Sequence, residues 1–241
     1  MRTFRQAMGV GLLVMLVAAD ASAQQGRRGF GFFGGGFGAG NNLLTLATNE
    51  AVQKELGIGA DLASKLTSLR DDYRAAIQKE YQTAGIDLRN FQDLSADERQ
   101  KLMAKMAEIN TKLNEEFTPQ LAKLLSADQM GRLKQIQVQA QGATALTANP
   151  EVARELNLSE AQRQKLSELQ AEFARRQRDL FTGGGDPQER FAKMRELNSE
   201  RDAKMLEVLT EEQKQKFTAL KGDPFDVSQL GFGGRGRRGN N

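Results

Sequence analysis

The chain has no cysteine, no histidine and no tryptophan among its 241 residues, only two tyrosines and only four prolines. Without cysteine no disulfide can form and no lipid-modified cysteine can anchor the chain. Without histidine or cysteine the usual zinc and copper ligands, cysteine nucleophiles and serine–histidine relays are all missing. Carboxylate pairs such as Glu115-Glu116 and Glu211-Glu212 remain, but none carries the EF-hand spacing with its central glycine. No Walker-type glycine loop precedes a lysine. These absences point away from an enzyme, and we expect no catalytic residue, no cofactor and no metal site. Strand signals are missing too, since β-branched and aromatic residues are scarce and never alternate.

The N-terminus reads as a targeting signal. Arg2 and Arg5 precede the apolar run Val10–Ala19, and Ala21-Ser22-Ala23 supplies a small-x-small cleavage pattern. The apolar run is about ten residues, whereas a spanning helix needs about 20. Residues 1–23 are therefore expected to be a signal peptide, and the mature chain an exported product, periplasmic or extracellular, without a transmembrane segment.

Glycine is concentrated at both ends. Residues 24–42 include GRRGFGFFGGGFGAG, and residues 227–241 include GFGGRGRRGNN. Ordering so much glycine costs backbone entropy that a tail without a core cannot offset, so both are expected to be disordered. Phe30, Phe32, Phe33 and Phe37 are candidate partner contacts on the first tail. The arginines of both tails account for the basic balance of the chain (net charge +3), and the middle is slightly acidic. No specific nucleic-acid binding is expected.

Between the tails the chain repeats itself. Residues 46–69 align without a gap on 146–169, with Leu46/Leu146, Asn49/Asn149, Val52/Val152, Glu55/Glu155, Leu56/Leu156, Lys65/Lys165, Leu66/Leu166 and Leu69/Leu169 identical. Two tandem helical repeats are expected, over 43–142 and 143–226. In each, apolar residues recur at three- and four-residue steps: Leu62, Leu66, Leu69, Tyr73 and Ile77, then Leu102, Met106, Ile109, Leu113 and Phe117 in the first. The second has Leu166, Leu169, Phe173 and Leu180, then Phe191, Met194, Leu197 and Met205. Such spacing makes one apolar stripe per helix. Met103, Met106, Met130, Met194 and Met205 fall on or beside these stripes and are assigned to packing.

Helix starts are marked by capping boxes: Ser95 with Glu98, Ser126 with Gln129, Ser159 with Gln162, and Thr210 with Gln213. Asn149-Pro150 and Asp186-Pro187 place a cap before a proline at the first helical position. Thr118-Pro119 either kinks the second long helix or restarts it. The expected fold is all-α: in each repeat a lead-in helix, a long antiparallel coiled-coil-like hairpin and a closing helix.

The motif Leu-Ser/Thr-x-x-Gln occurs as Leu125-Ser126-x-x-Gln129, Leu158-Ser159-x-x-Gln162 and Leu209-Thr210-x-x-Gln213, with LSADE at 94–98 as a near-copy. Ahead of long amphipathic helices in a cysteine-free exported chain, it resembles the LTxxQ superfamily, which includes the Spy/CpxP-like proteins of the bacterial periplasm. The corresponding slot at 58–62 reads Ile-Gly-Ala-Asp-Leu and has lost both hydroxyl and glutamine. The resemblance implies a thin helical cradle, commonly dimeric, that holds unfolded or envelope proteins in a stress response. Here the two repeats are expected either to form an internal pseudo-dimer or to join a homodimer. The motif residues themselves read mainly as structural caps.

Overall fold

A computed structural model describes residues 42–91, 93–182 and 186–231. Within them the chain is all-α, and no strand occurs among the described residues. The signal peptide, Phe30, Phe32, Phe33, Phe37 and the last ten residues lie outside them.

The first half runs α1 (Leu43–Ala47), α2 (Glu50–Glu55), α3 (Ala60–Thr83), α4 (Ala96–Leu124) and α5 (Ala127–Gln141). A 3-10 turn at Gly142–Thr144 leads into the second half, which runs α6 (Ala145–Ala148), α7 (Pro150–Glu155), α8 (Glu160–Thr182), α9 (Pro187–Glu207) and α10 (Glu211–Lys221). Most of these helices start at a side-chain cap. Asn49 Oδ1 accepts from the amides of Ala51 and Val52, and Asn149 Oδ1 does the same for Glu151 and Val152. Asp186 caps α9 ahead of Pro187.

The long helices pair as two antiparallel hairpins, α3 with α4 and α8 with α9. Leu66, Leu69, Tyr73, Ile109, Leu113 and Phe117 meet in the first, and the Tyr73 and Phe117 rings stack edge to face with centroids 5.2 Å apart. Leu166, Leu169, Phe173, Leu197 and Met205 meet in the second. Of the described methionines only Met205 is fully buried; Met103, Met106, Met130 and Met194 are half-buried.

Two hydrophobic cores result, and α5 serves both. Its Leu133 and Ile136 lie in the first, while Val138 lies in the second. The exchange runs in the other direction as well. After α10 the chain turns at Gly222, crosses back to the first half and forms a 3-10 turn at Val227–Leu230, where Leu230 is buried in the first core.

Several expectations need correction. Residues 227–230, expected to belong to a disordered tail, are structured instead: Asp226 accepts from the Ser228 amide, and Leu230 is 6% exposed, a cap and an anchor. Asn42, placed in the leading linker, is the N-cap of α1 and accepts from the Thr45 amide at 2.7 Å. Pro119 does not restart its helix, because α4 is continuous from Ala96 to Leu124. Phe191, expected on the inner stripe, is 69% exposed. Leu197 and Met205 are the residues of that stripe that reach the second core.

Candidate functional site

The motif serines, threonine and glutamines all sit at helix starts. Ser126 Oγ accepts from the Gln129 amide at 3.1 Å, and Gln129 Oε1 accepts from the Ser126 amide at 3.0 Å. Ser159 with Gln162 and Thr210 with Gln213 repeat both bonds. The leucine before each hydroxyl residue is buried: Leu125, Leu158 and Leu209 all pack at a core edge.

The glutamine amide nitrogens do something that a capping box does not require. Gln213 Nε2 donates to the carbonyl of Leu156, at the end of α7, and Gln162 Nε2 donates to the carbonyl of Val208, at the end of α9. Each also donates to the other's Oε1, at 2.7 and 3.1 Å. Two helix starts are thereby tied to two helix ends through one pair of side chains. Those four backbone groups are among the orphans that every helix terminus leaves, and a capping box alone would satisfy only the donors.

In the first half only one arm of this latch exists. Gln129 Nε2 donates to the carbonyl of Leu56 at 3.0 Å, the counterpart of the Gln213–Leu156 bond. The partner position holds Leu62, half-buried against the first core, and Gly59 gives α3 no side-chain cap. At the near-copy, Ser95 and Glu98 form a capping box, but a carboxylate cannot donate and Glu98 makes no cross-helix amide bond. Spacing along the sequence reveals the caps. It does not reveal Leu56, Leu156 or Val208, because a backbone carbonyl carries no residue-type signature.

The second hairpin presents two unlike sides. On one, Arg176 makes a two-pronged pair with Glu200 at 2.8 and 2.6 Å, and Lys204 approaches the same carboxylate at 3.2 Å. These bonds, from Arg176 first and Lys204 second, hold the Glu200 carboxyl at about 2, well below its usual range. Both cations also lie over the Phe173 ring. A cleft here is lined by Leu180 and Leu197 together with Arg176, Asp179, Lys193, Glu196 and Glu200, whose charges nearly balance.

Phe181 and Phe191 are 52% and 69% exposed, and helical periodicity turns both toward the other side. Phe181 follows the inward-facing Leu180, and Phe191 precedes the inward-facing Leu197 by six residues. With about 100° per residue, they lie about 100° and about 120° off the inner stripe. In an antiparallel pair those offsets turn to the same side.

Among the described residues no group of three or more carboxylates is placed to hold a metal ion. Glu211 and Glu212 are instead paired with Lys214 and Lys216 one turn on. No described helix is long and apolar enough to cross a membrane. No protein-family model matches the chain, and no curated protein or solved structure matches it either.

Proposed function

We propose that this chain is an exported, non-enzymatic protein-binding protein that acts as a Spy/CpxP-like periplasmic chaperone or envelope-stress adaptor. The observation that carries the reading is the pair Phe181 and Phe191, more than half exposed on one side of a hairpin whose other side is charged. Exposed aromatic surface beside polar helix faces suits contact with apolar segments of a non-native protein. Half-buried Met194 on the same helix adds a flexible side chain that can adapt to differing clients. The LTxxQ resemblance favours the same function, and the latch explains the motif as a way of fixing hairpin geometry.

A second reading, a structural or interaction module of an extracytoplasmic assembly, draws on the same residues. Two exposed phenylalanines suit one dedicated partner as well as many clients. Light scattering of a reduced, unrelated client separates the two. With residues 24–241 at near-equimolar ratio, a chaperone suppresses aggregation, and the double variant Phe181→Ser/Phe191→Ser loses most of that effect. No suppression over a wide concentration range removes the chaperone reading and leaves the dedicated partner, to be captured by crosslinking in the envelope.

A further inference from the structure

We propose that the seam between α2 and α5 is a peptide-binding site whose resident ligand is the chain's own segment 223–230. The class of ligand is a short peptide that presents phenylalanine and leucine five residues apart around an aspartate-capped turn.

The α5 side of the seam is built to read backbone. Arg132, Gln135 and Gln139 share one face of that helix at i, i+3 and i+7. Gln139 Nε2 donates to the carbonyls of Lys221 and Asp223 at 2.6 and 2.8 Å, while its Oε1 accepts from the Phe225 amide at 2.7 Å. One carboxamide thus satisfies both a donor and acceptors of the arriving chain, which is how a side chain grips an extended peptide irrespective of its side chains. Arg132 adds a bond from Nη1 to the Asp223 carbonyl at 2.7 Å. Its Nε and Nη2 are held by Glu55 of α2 at 2.9 and 2.7 Å, so the guanidinium is fixed before the peptide arrives.

Side-chain selectivity comes from the two anchors. Phe225 packs against the first core, and Leu230 is buried within it, beside residues that belong to the first half. Between them Asp226 accepts from the Ser228 amide and hydroxyl and from Gln229, which pre-forms the turn that presents Leu230. The segment carries its own capped turn and is joined to the second half at Gly222. A ligand so attached can leave and return without unfolding either hairpin.

The test uses the full chain and a fluorescent peptide of residues 222–231. The variant Leu230→Asp frees the resident segment, and its helicity is checked by circular dichroism. The expected result is saturable one-to-one binding of the peptide to this variant, roughly tenfold or more tighter than to the unaltered chain, whose site is occupied. Adding Arg132→Ala or Gln139→Ala to the variant, or replacing both anchors in the peptide by alanine, weakens binding by a similar factor. A helical Leu230→Asp variant that takes up no peptide, or one that binds no better than the unaltered chain, overturns the proposal. Should that variant lose its helical signal, hydrogen exchange on the unaltered chain decides. Amides of α2 and of 225–230 are expected to exchange together through an opening that leaves α5 and α8 protected. Exchange of all of them only on global unfolding overturns it.

Discussion

Gln162 and Gln213, 51 positions apart, satisfy each other completely. Each side-chain oxygen accepts from the cap amide of its own helix and from the other's nitrogen, and each nitrogen donates to the other's oxygen and to a helix-end carbonyl. A primary amide has two donors and two acceptor sites, and in both residues all four are used. The pair fastens the base of the α8–α9 hairpin to α7 and α10. No other side chain of similar length offers this set: glutamate lacks the donors, and methionine lacks both.

Removing one member leaves its partner, one helix-end carbonyl and one cap amide short of bonds in a half-buried site. Gln213→Ala or Gln162→Ala is therefore expected to cost about 1–3 kcal/mol, read by urea denaturation. The two together cost less than the sum of the singles, because the second removal breaks bonds already half lost. Gln213→Glu is expected to be worse at neutral pH than Gln213→Ala, since a carboxylate would face the Leu156 carbonyl and the Gln162 oxygen. Strict additivity in the double variant would contradict the coupled geometry.

The contrast between local and distant bonds also explains what could be read from sequence. A cap and its partner lie three residues apart, so the pattern Ser-x-x-Gln is visible in a line of text, as are apolar stripes with helical period. The all-α class follows from those stripes and from the lack of alternation. The Gln162–Gln213 pair is invisible in that way, because nothing in either motif names the other. Segment 223–230 was hidden for a different reason. Its two anchors, Phe225 and Leu230, have no periodicity, and the glycine-rich composition beside them suggests a tail. Phe191 shows the converse failure: it has the spacing of an inner residue, but exposure depends on what lies over it.

The first half offers a gain-of-function version of the latch. Gly59 sits at the cap of α3 with φ −77°, in a region open to any residue, and a Cβ built there meets nothing within 4 Å. Gly59→Ser is expected to stabilise by about 0.4–1 kcal/mol, mainly by restricting the unfolded chain. Leu62→Gln alone is expected to destabilise, as it removes a half-buried apolar contact. Combined, they recreate the Ser-x-x-Gln pattern opposite Gln129, and the double variant should exceed the sum of the singles by about 0.5–2 kcal/mol. A thermodynamic cycle in urea measures the surplus; its absence would mean that the first hairpin does not place residue 62 within reach of Gln129.

The Arg176–Glu200–Lys204 cluster predicts a pH dependence of definite sign. The folded carboxyl of Glu200 is lowered to about 2 from an ordinary value of 4.5. A carboxyl lowered on folding contributes stability that is present above its unfolded value and lost as pH falls through its folded value. The stability difference between the unaltered chain and Glu200→Gln should therefore be constant near neutrality, shrink below about pH 4.5 and vanish near pH 2. The groups are solvent-accessible, so added salt should reduce the difference throughout. Denaturation series at several pH values check this, and a difference that grows toward acid would contradict the assigned pairing.

Two glycines end the closing helices in similar backbone conformations, Gly142 with φ 56° and Gly222 with φ 62°, and yet they should respond differently to alanine. At Gly142 a Cβ would meet only the Asp202 carboxylate oxygen, at 3.5 Å, so the cost is the backbone conformation alone, a positive φ with ψ −141° that essentially only glycine adopts, about 1–3 kcal/mol. At Gly222 a Cβ would fall 2.1 Å from Gln135 Oε1, inside the face of α5 that holds segment 223–230. Gln135 would have to move, and with it the oxygen that Arg132 Nη1 bonds at 3.1 Å. Gly222→Ala is expected both to destabilise more than Gly142→Ala and to loosen the segment beyond it. Hydrogen exchange at the Phe225 amide is the direct readout: it should rise sharply in Gly222→Ala and stay near the unaltered rate in Gly142→Ala. Equal exchange in the two variants would mean that the approach of Gln135 to Gly222 does not position the segment.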